Sequence, residues 1–161
     1  MADNVSANAQ TEEQQFILEK IYVKDLSFEN PKSPQIFTTQ WNPQINVQLN
    51  SQAKAISDDV YEVVLSITVT AKQSENTAFL VEVQQAALFR AKNLKEDQLP
   101  PLLGIYCPTV LFPYARETIS DVVIRGGYPQ LLLAPVNFES LYAQQLKQQQ
   151  DAEKSSDDKI H

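Results

Sequence analysis

Cysteine and histidine occur once each in these 161 residues, as Cys107 and His161, and glycine only three times. A metal site within one chain needs several Cys, His or carboxylate ligands at close spacing, so this scarcity speaks against one. No cofactor is expected. A single cysteine forms no internal disulfide, which fits a reducing compartment, the cytoplasm. The glycines Gly104, Gly126 and Gly127 belong to no phosphate-cradling pattern, so ATP-driven chemistry is not expected. No apolar run approaches the roughly 18 residues of a membrane span. Met1 to Gln15 carries Asp3, Glu12 and Glu13 and lacks the apolar stretch of a secretory signal.

Basic charge is also short, with 13 Lys and Arg against 20 Asp and Glu and a net charge of -7. Phosphate binding needs clustered cations, so nucleic acid is not an expected partner, and anionic lipid is no better. A basic or an apolar partner fits. The apolar fraction of 43% is that of a globular chain able to bury a real core as one domain. That domain is expected over 15–150. The polar 1–14 and the charged, aperiodic 151–161 read as disordered tails.

The first half has strand periodicity. Ile45, Val47 and Leu49 alternate with polar neighbours. In the next strand Tyr61, Val63, Leu65, Ile67 and Val69 share one face, with Ser57-Asp58-Asp59 as the turn between. After a polar break at Gln73 to Asn76, Phe79, Val81 and Val83 alternate with Leu80, Glu82 and Gln84. Phe16 to Phe28 is strand-like but carries apolar residues on both faces. Three strands joined by short turns predict an antiparallel meander, and the first strand returns through the proline-bearing loop Asn30 to Asn42.

The period then changes. Leu111, Ala115, Ile119, Val122 and Val123 recur at helical spacing, with Pro108 in a first turn and Gly126-Gly127 as the stop. Pro113 either kinks this helix or marks its start. Asn137 reads as the N-cap of a second, short helix carrying Phe138, Leu141, Tyr142 and Leu146. The fold class is α+β: a four-stranded antiparallel sheet followed by two helices. Two helices of this size hardly cover both faces of such a sheet. The surplus apolar surface points to oligomerisation or to a binding surface.

Catalytic groupings are weak. Cys107 before Pro108 at a helix start is a candidate thiolate, but no histidine stands in the ordered region to serve as base. A small buried residue explains it better. Arg116 and Glu117 point about 100° apart on a helix, so they do not converge. Aromatics remain, and Trp41 in the proline-flanked loop before Ile45 is placed to wall an apolar groove.

The segments Ile21 to Pro31, Asp59 to Ala71, Thr77 to Ala86, Tyr106 to Glu117 (YCPTVLFPYARE) and Leu133 to Tyr142 (LAPVNFESLY) resemble the SecB family of bacterial export chaperones in type and order. The resemblance implies an ATP-independent chaperone, not an enzyme, assembled as a homotetramer, a dimer of dimers. Its clients are unfolded precursor proteins, delivered to the SecA translocation motor. It implies a client groove at Trp41, Ile45, Val47, Leu49, Tyr114, Leu131, Phe138 and Tyr142. It places motor docking at Asp25, Glu29, Leu80 and Glu82, and an oligomer interface at Phe79, Val81, Val83, Leu111, Ala115 and Ile119. A SecB-like chaperone for another client, such as a toxin-antitoxin pair, is the alternative.

Overall fold

Four antiparallel strands form one sheet in the order β1-β4-β3-β2. They are β1 Gln15–Glu29, β2 Gln44–Ser57, β3 Val60–Gln73 and β4 Asn76–Lys92. The computed structural model describes residues 12–157. Strands β2, β3 and β4 are the expected meander, and β1 comes back to pair with β4.

Strand β1 looked two-faced in sequence because two bulges interrupt it, where one extra residue shifts the side-chain phase. Glu19 is the extra residue between Leu18 (opposite Phe89) and Lys20 (opposite Leu88). Lys24 is the second, between Val23 (opposite Gln85) and Asp25 (opposite Gln84). Each bulge resets the alternation. Phe16, Leu18, Ile21, Val23, Leu26 and Phe28 therefore all share the face that carries the apolar row of β4. The extra residues are polar and reach ionic partners: Glu19 meets Arg90 at 2.5 Å and Lys24 meets Glu62 at 2.7 Å.

Helical turns begin at Leu99, earlier than Pro108 implied. One turn, α1 Leu99–Pro101, runs through a π-helical stretch Leu102–Tyr106 into α2 Cys107–Arg125. Pro100 and Pro101 open the helical segment, where N–H groups lack partners in any case. Pro113 lies inside α2, so it is not the start. The stop is as expected. Gly127 takes a left-handed φ of +92°, and the N–H groups of Gly127 and Tyr128 donate to the carbonyls of Ile124 and Val123. That is the paired closure in which glycine suits the left-handed position.

Helix α3, Phe138–Asp157, is longer than expected. Asn137 caps it, its Oδ1 accepting the Ser140 N–H at 3.0 Å. Residues 151–157, read as tail, continue this helix with exposed side chains, while 158–161 lie outside the described residues. Of the other expected tail, 12–14 are exposed and irregular, and 1–11 likewise lie outside. No described helix is long and apolar enough to cross a membrane.

The core lies between α2 and the central strands β3 and β4. Val63, Ile67, Val69 and Ala71 face Ala87, Val83, Val81 and Phe79 across the ladder, and with Leu65 and Phe89 they pack in one core with Leu111, Ala115, Ile119 and Val123 of α2. Each fully buried aliphatic side chain contributes about 1.5–3 kcal/mol. This packing corrects the expected oligomer interface. Phe79, Val81, Val83, Leu111, Ala115 and Ile119 are each 1% exposed or less within a single protomer. The β4 row and the α2 stripe satisfy one another, so these six have no surface to give a second subunit.

Candidate functional site

One stretch of the helix-side face is left open. Ile45, Val47, Leu49, Ser51 and Ala53 of β2 stand opposite Ala71, Val69, Ile67, Leu65 and Val63 of β3, so they share its buried face. Yet α2 stops over β3 and β4, and Ile45 and Val47 remain 40% and 46% exposed. Leu49 is half-buried. At about 3.4 Å per residue this row extends roughly 27 Å along the sheet edge.

Trp41 closes one end. It is half-buried, with its ring 4.9 Å from Tyr128 and 6.4 Å from Phe79. Phe37 adds a further contact to Tyr128 at 5.2 Å. The Tyr128 hydroxyl is fixed at 2.5 Å from Asn30 Oδ1 and 3.0 Å from the Ala78 carbonyl, and burial raises its pKa. Ala78 is itself the extra residue of a bulge between Ala71 and Lys72 partners, which frees its carbonyl. A cluster of stacked and tilted rings thus forms an apolar wall.

At the other end the row runs into a cavity of about 320 Å³ lined by Ser51, Ala53, Leu99, Pro100, Leu103, Gly104, Tyr142 and Gln145. Gly104 is required there, because a Cβ would stand 2.6 Å from Tyr142 Cδ2. Of the groove residues expected from sequence, Trp41, Ile45, Val47, Leu49 and Tyr142 fall along this one path. Leu131 is half-buried against the core in the extended segment after Tyr128. Two others are placed differently. Phe138 is 4% exposed and packs edge-on against Phe112 at 6.0 Å, so it belongs to the core and shows only an edge. Tyr114 is 51% exposed, stands about 160° round α2 from Phe112, and is not among the side chains lining the cavity. Ser51, Ala53, Leu99, Leu103 and Gly104 were not anticipated: Ser51, Ala53 and Gly104 are too small to give a hydropathy signal, and Leu99 and Leu103 precede the helix start that the sequence suggested.

The opposite face of the sheet carries no helix among the described residues. Here the ladder brings Glu29 opposite Leu80, Glu82 opposite Ser27, and Asp25 opposite Gln84. The four residues of the expected docking patch therefore share one face at the β1–β4 junction. Their parity differs between strands, and the pairing register reconciles it. None of the three carboxylates takes part in the ion pairs found among the described residues. Farther along the same face Glu62 accepts from Lys24 and from the Tyr22 hydroxyl, which holds its carboxyl below the ordinary range. Burial first, then the Glu62 hydrogen bond, pushes Tyr22 up to about 12.

Cys107 is buried, and burial pushes its thiol up to about 12, so a thiolate nucleophile is not available near neutral pH. Arg116 lies over the Phe112 ring at 5.7 Å, while its expected neighbour Glu117 is exposed. No group of three His, Cys, Asp or Glu suited to a metal occurs among the described residues.

A family model described as preprotein translocase subunit SecB matches residues 9–149. The chain is 53% identical over 153 residues to the protein-export protein SecB of Marinobacter nauticus, covering 94% of this chain and 93% of that one. It is 56% identical over 153 residues to the protein of the same name from Nitrosococcus oceani, covering 91% and 93%. The Legionella pneumophila protein is 46% identical over 160 residues, with 99% of each chain covered. Among solved structures, a SecB-like chaperone of Mycobacterium tuberculosis, in complex with a peptide from the HigA1 antitoxin, matches with a TM-score of 0.63. That match has 17% identity and covers 75% of this chain and 90% of that one, a likeness of fold. With the family model spanning most of the sequence, and relatives at about half identity across nearly its whole length, this chain belongs to the SecB family.

Proposed function

We infer that this chain is a protein-export chaperone that holds unfolded precursor polypeptides along the open row of β2, from Trp41 to the cavity beneath Tyr142. The observation that carries the reading is the uncovered helix-side face of β2, where the apolar Ile45, Val47 and Leu49 continue into the small Ser51 and Ala53 on an acidic chain. Three client side chains buried at about 2 kcal/mol each give about 6 kcal/mol before ordering costs. That is roughly tens of micromolar per site. Holding a client firmly then requires several sites on one client, where effective concentration multiplies affinity. A homotetramer, a dimer of dimers, supplies them. Its interfaces draw on exposed apolar residues such as Leu18, Val23 and Leu26 of β1 and Tyr114 and Ile124 of α2. The chaperone works in the cytoplasm without ATP, and it hands its client to the SecA motor through the acidic patch around Leu80.

Trp41→Ala and Val47→Asp are expected to weaken capture of an unfolded, signal-bearing precursor about tenfold or more each, with the four-chain mass retained in light scattering. Capture at the unaltered level by both variants would remove the β2 row as the groove. A solution mass of one chain at micromolar concentration would remove the tetramer.

A second reading keeps the groove but gives it another client. The Mycobacterium tuberculosis structure with an antitoxin peptide motivates it. The acidic patch separates the two readings, because only the export reading requires the motor.

A further inference from the structure

Gln73 is the last residue of β3 and the sixth in the buried row that begins Val63, Leu65, Ile67. Every earlier member of that row is apolar. A buried amide must find partners for its oxygen and for its NH₂ group. Gln73 finds them in the loop that carries Trp41. Its Oε1 accepts the Asn42 N–H at 2.8 Å. Its Nε2 donates to Thr39 Oγ1 at 3.2 Å and to the Gln40 carbonyl. The amide orientation is fixed by chemistry, since only the oxygen can receive the Asn42 N–H.

The backbone groups just before and just after Trp41 are thus tied to one side chain rooted in the sheet. The loop contains a short 3₁₀ turn, Gln35–Thr38, and among its members only Ile36 is buried. Packing of the segment is thin, and the amide supplies the restraint that packing does not. Without it, the Trp41 indole would keep its contacts to Tyr128 and Phe79 only as one of several loop arrangements.

We propose that Gln73 is a positioning residue for client capture, clamping the loop on both sides of Trp41 so that the indole wall of the groove is formed before a client arrives. This rests on the reading of Trp41 as a client contact. A preformed wall raises the fraction of binding-competent protein, and apparent affinity falls in proportion to that fraction when the clamp is lost.

Trp41 is the only tryptophan in the chain, so its emission, excited at the red edge where the six tyrosines hardly absorb, reports this loop alone. The experiment compares the full-length protein, Gln73→Leu, Trp41→Ala and the double variant. The probe is fluorescein-labelled, reduced and carboxymethylated α-lactalbumin, which cannot refold. Gln73→Leu is expected to lower the Trp41 anisotropy of the free protein and to raise the Kd for the probe about tenfold, with the oligomer mass unchanged. In the Trp41→Ala background the same change is expected to leave Kd where it is, because the clamp acts through the indole. Wild-type anisotropy and wild-type Kd in Gln73→Leu would overturn the proposal. So would an equal loss of affinity with and without Trp41, which marks a merely structural role. If Trp41→Ala alone leaves Kd unchanged, the groove reading is what fails; the clamp is then upheld by a fall in anisotropy and overturned by its absence. Should Gln73→Leu fail to fold, Gln73→Met, of nearly the same length and equally unable to bond the loop, takes its place.

Discussion

Reversing three charges, Asp25→Lys, Glu29→Lys and Glu82→Lys together, is expected to reduce motor binding by about 100-fold or more while client capture is unchanged. The geometry makes the three act as one. Asp25 and Glu29 lie four residues apart on β1, about 13 Å, and Glu82 faces Ser27 midway between them. Glu29 also stands opposite half-buried Leu80, which puts an apolar contact at one end of the charged patch. Among the described residues these carboxylates form no ion pair that binding would have to break, so their charge is available to a basic partner. Reversal moves the local charge by six units, and close complementary charges in interfaces couple by roughly 1.5–7 kcal/mol. Stability should move by only about 1 kcal/mol or less, since exposed charges contribute little to folding. Titration calorimetry against the motor, with a parallel capture assay, measures both effects. Raising salt should weaken the unaltered complex in the same direction, because the Debye length falls to about 3 Å at 1 M. Motor binding that survives the reversal would favour the reading with another client.

How much of this was legible in the sequence depends on how regular each signal is. Strand β3 read correctly because Val63 to Val69 alternate without interruption and one face is wholly buried. Strand β1 did not, because the bulges at Glu19 and Lys24 shift the phase twice, and neither residue advertises a bulge. The C-terminal stop at Gly126-Gly127 and the Asn137 cap were legible because both depend on local chemistry. The helix start was misplaced: Pro108 resembled a first-turn residue, while the helical segment opens at Leu99 with Pro100 and Pro101. The length of α3 was hidden because beyond Leu146 the sequence is polar all round, with no stripe to follow.

The candidate site was half legible for similar reasons. The β2 row declared itself by alternation, and Trp41 by its position beside it. Tyr114 was assigned to the groove by resemblance, and within a protomer it lies exposed on α2, outside the cavity lining. The cavity end depends on Ser51, Ala53 and Gly104, where the absence of side-chain bulk is the signal. The acidic patch needed a register between β1 and β4 that no single strand contains.

Phe79→Ala is expected to lower the stability of the protomer by about 3–5 kcal/mol, seen as a large drop in the urea midpoint. The sequence placed Phe79 in an interface between subunits, and the two placements differ in outcome. An interface residue cut to alanine loosens the assembly first and leaves the protomer fold intact. In the structure Phe79 is 1% exposed and its ring meets Phe28 at 5.9 Å, Trp41 at 6.4 Å and Tyr128 at 4.9 Å. Removing it opens a cavity under three aromatic neighbours, and each such ring pair is worth about 0.5–1.5 kcal/mol beyond its buried area. A domain stable by about 5–15 kcal/mol loses a large share of its margin. Client capture should fall as well, since Trp41 loses one of the two rings that support it. Phe79→Leu, which keeps most of the volume, should cost no more than about half as much. Dissociation of the oligomer with an unchanged protomer midpoint would return Phe79 to the subunit interface. A midpoint that falls along with Trp41 emission shifting toward exposed indole makes it the keystone between the core and the groove wall.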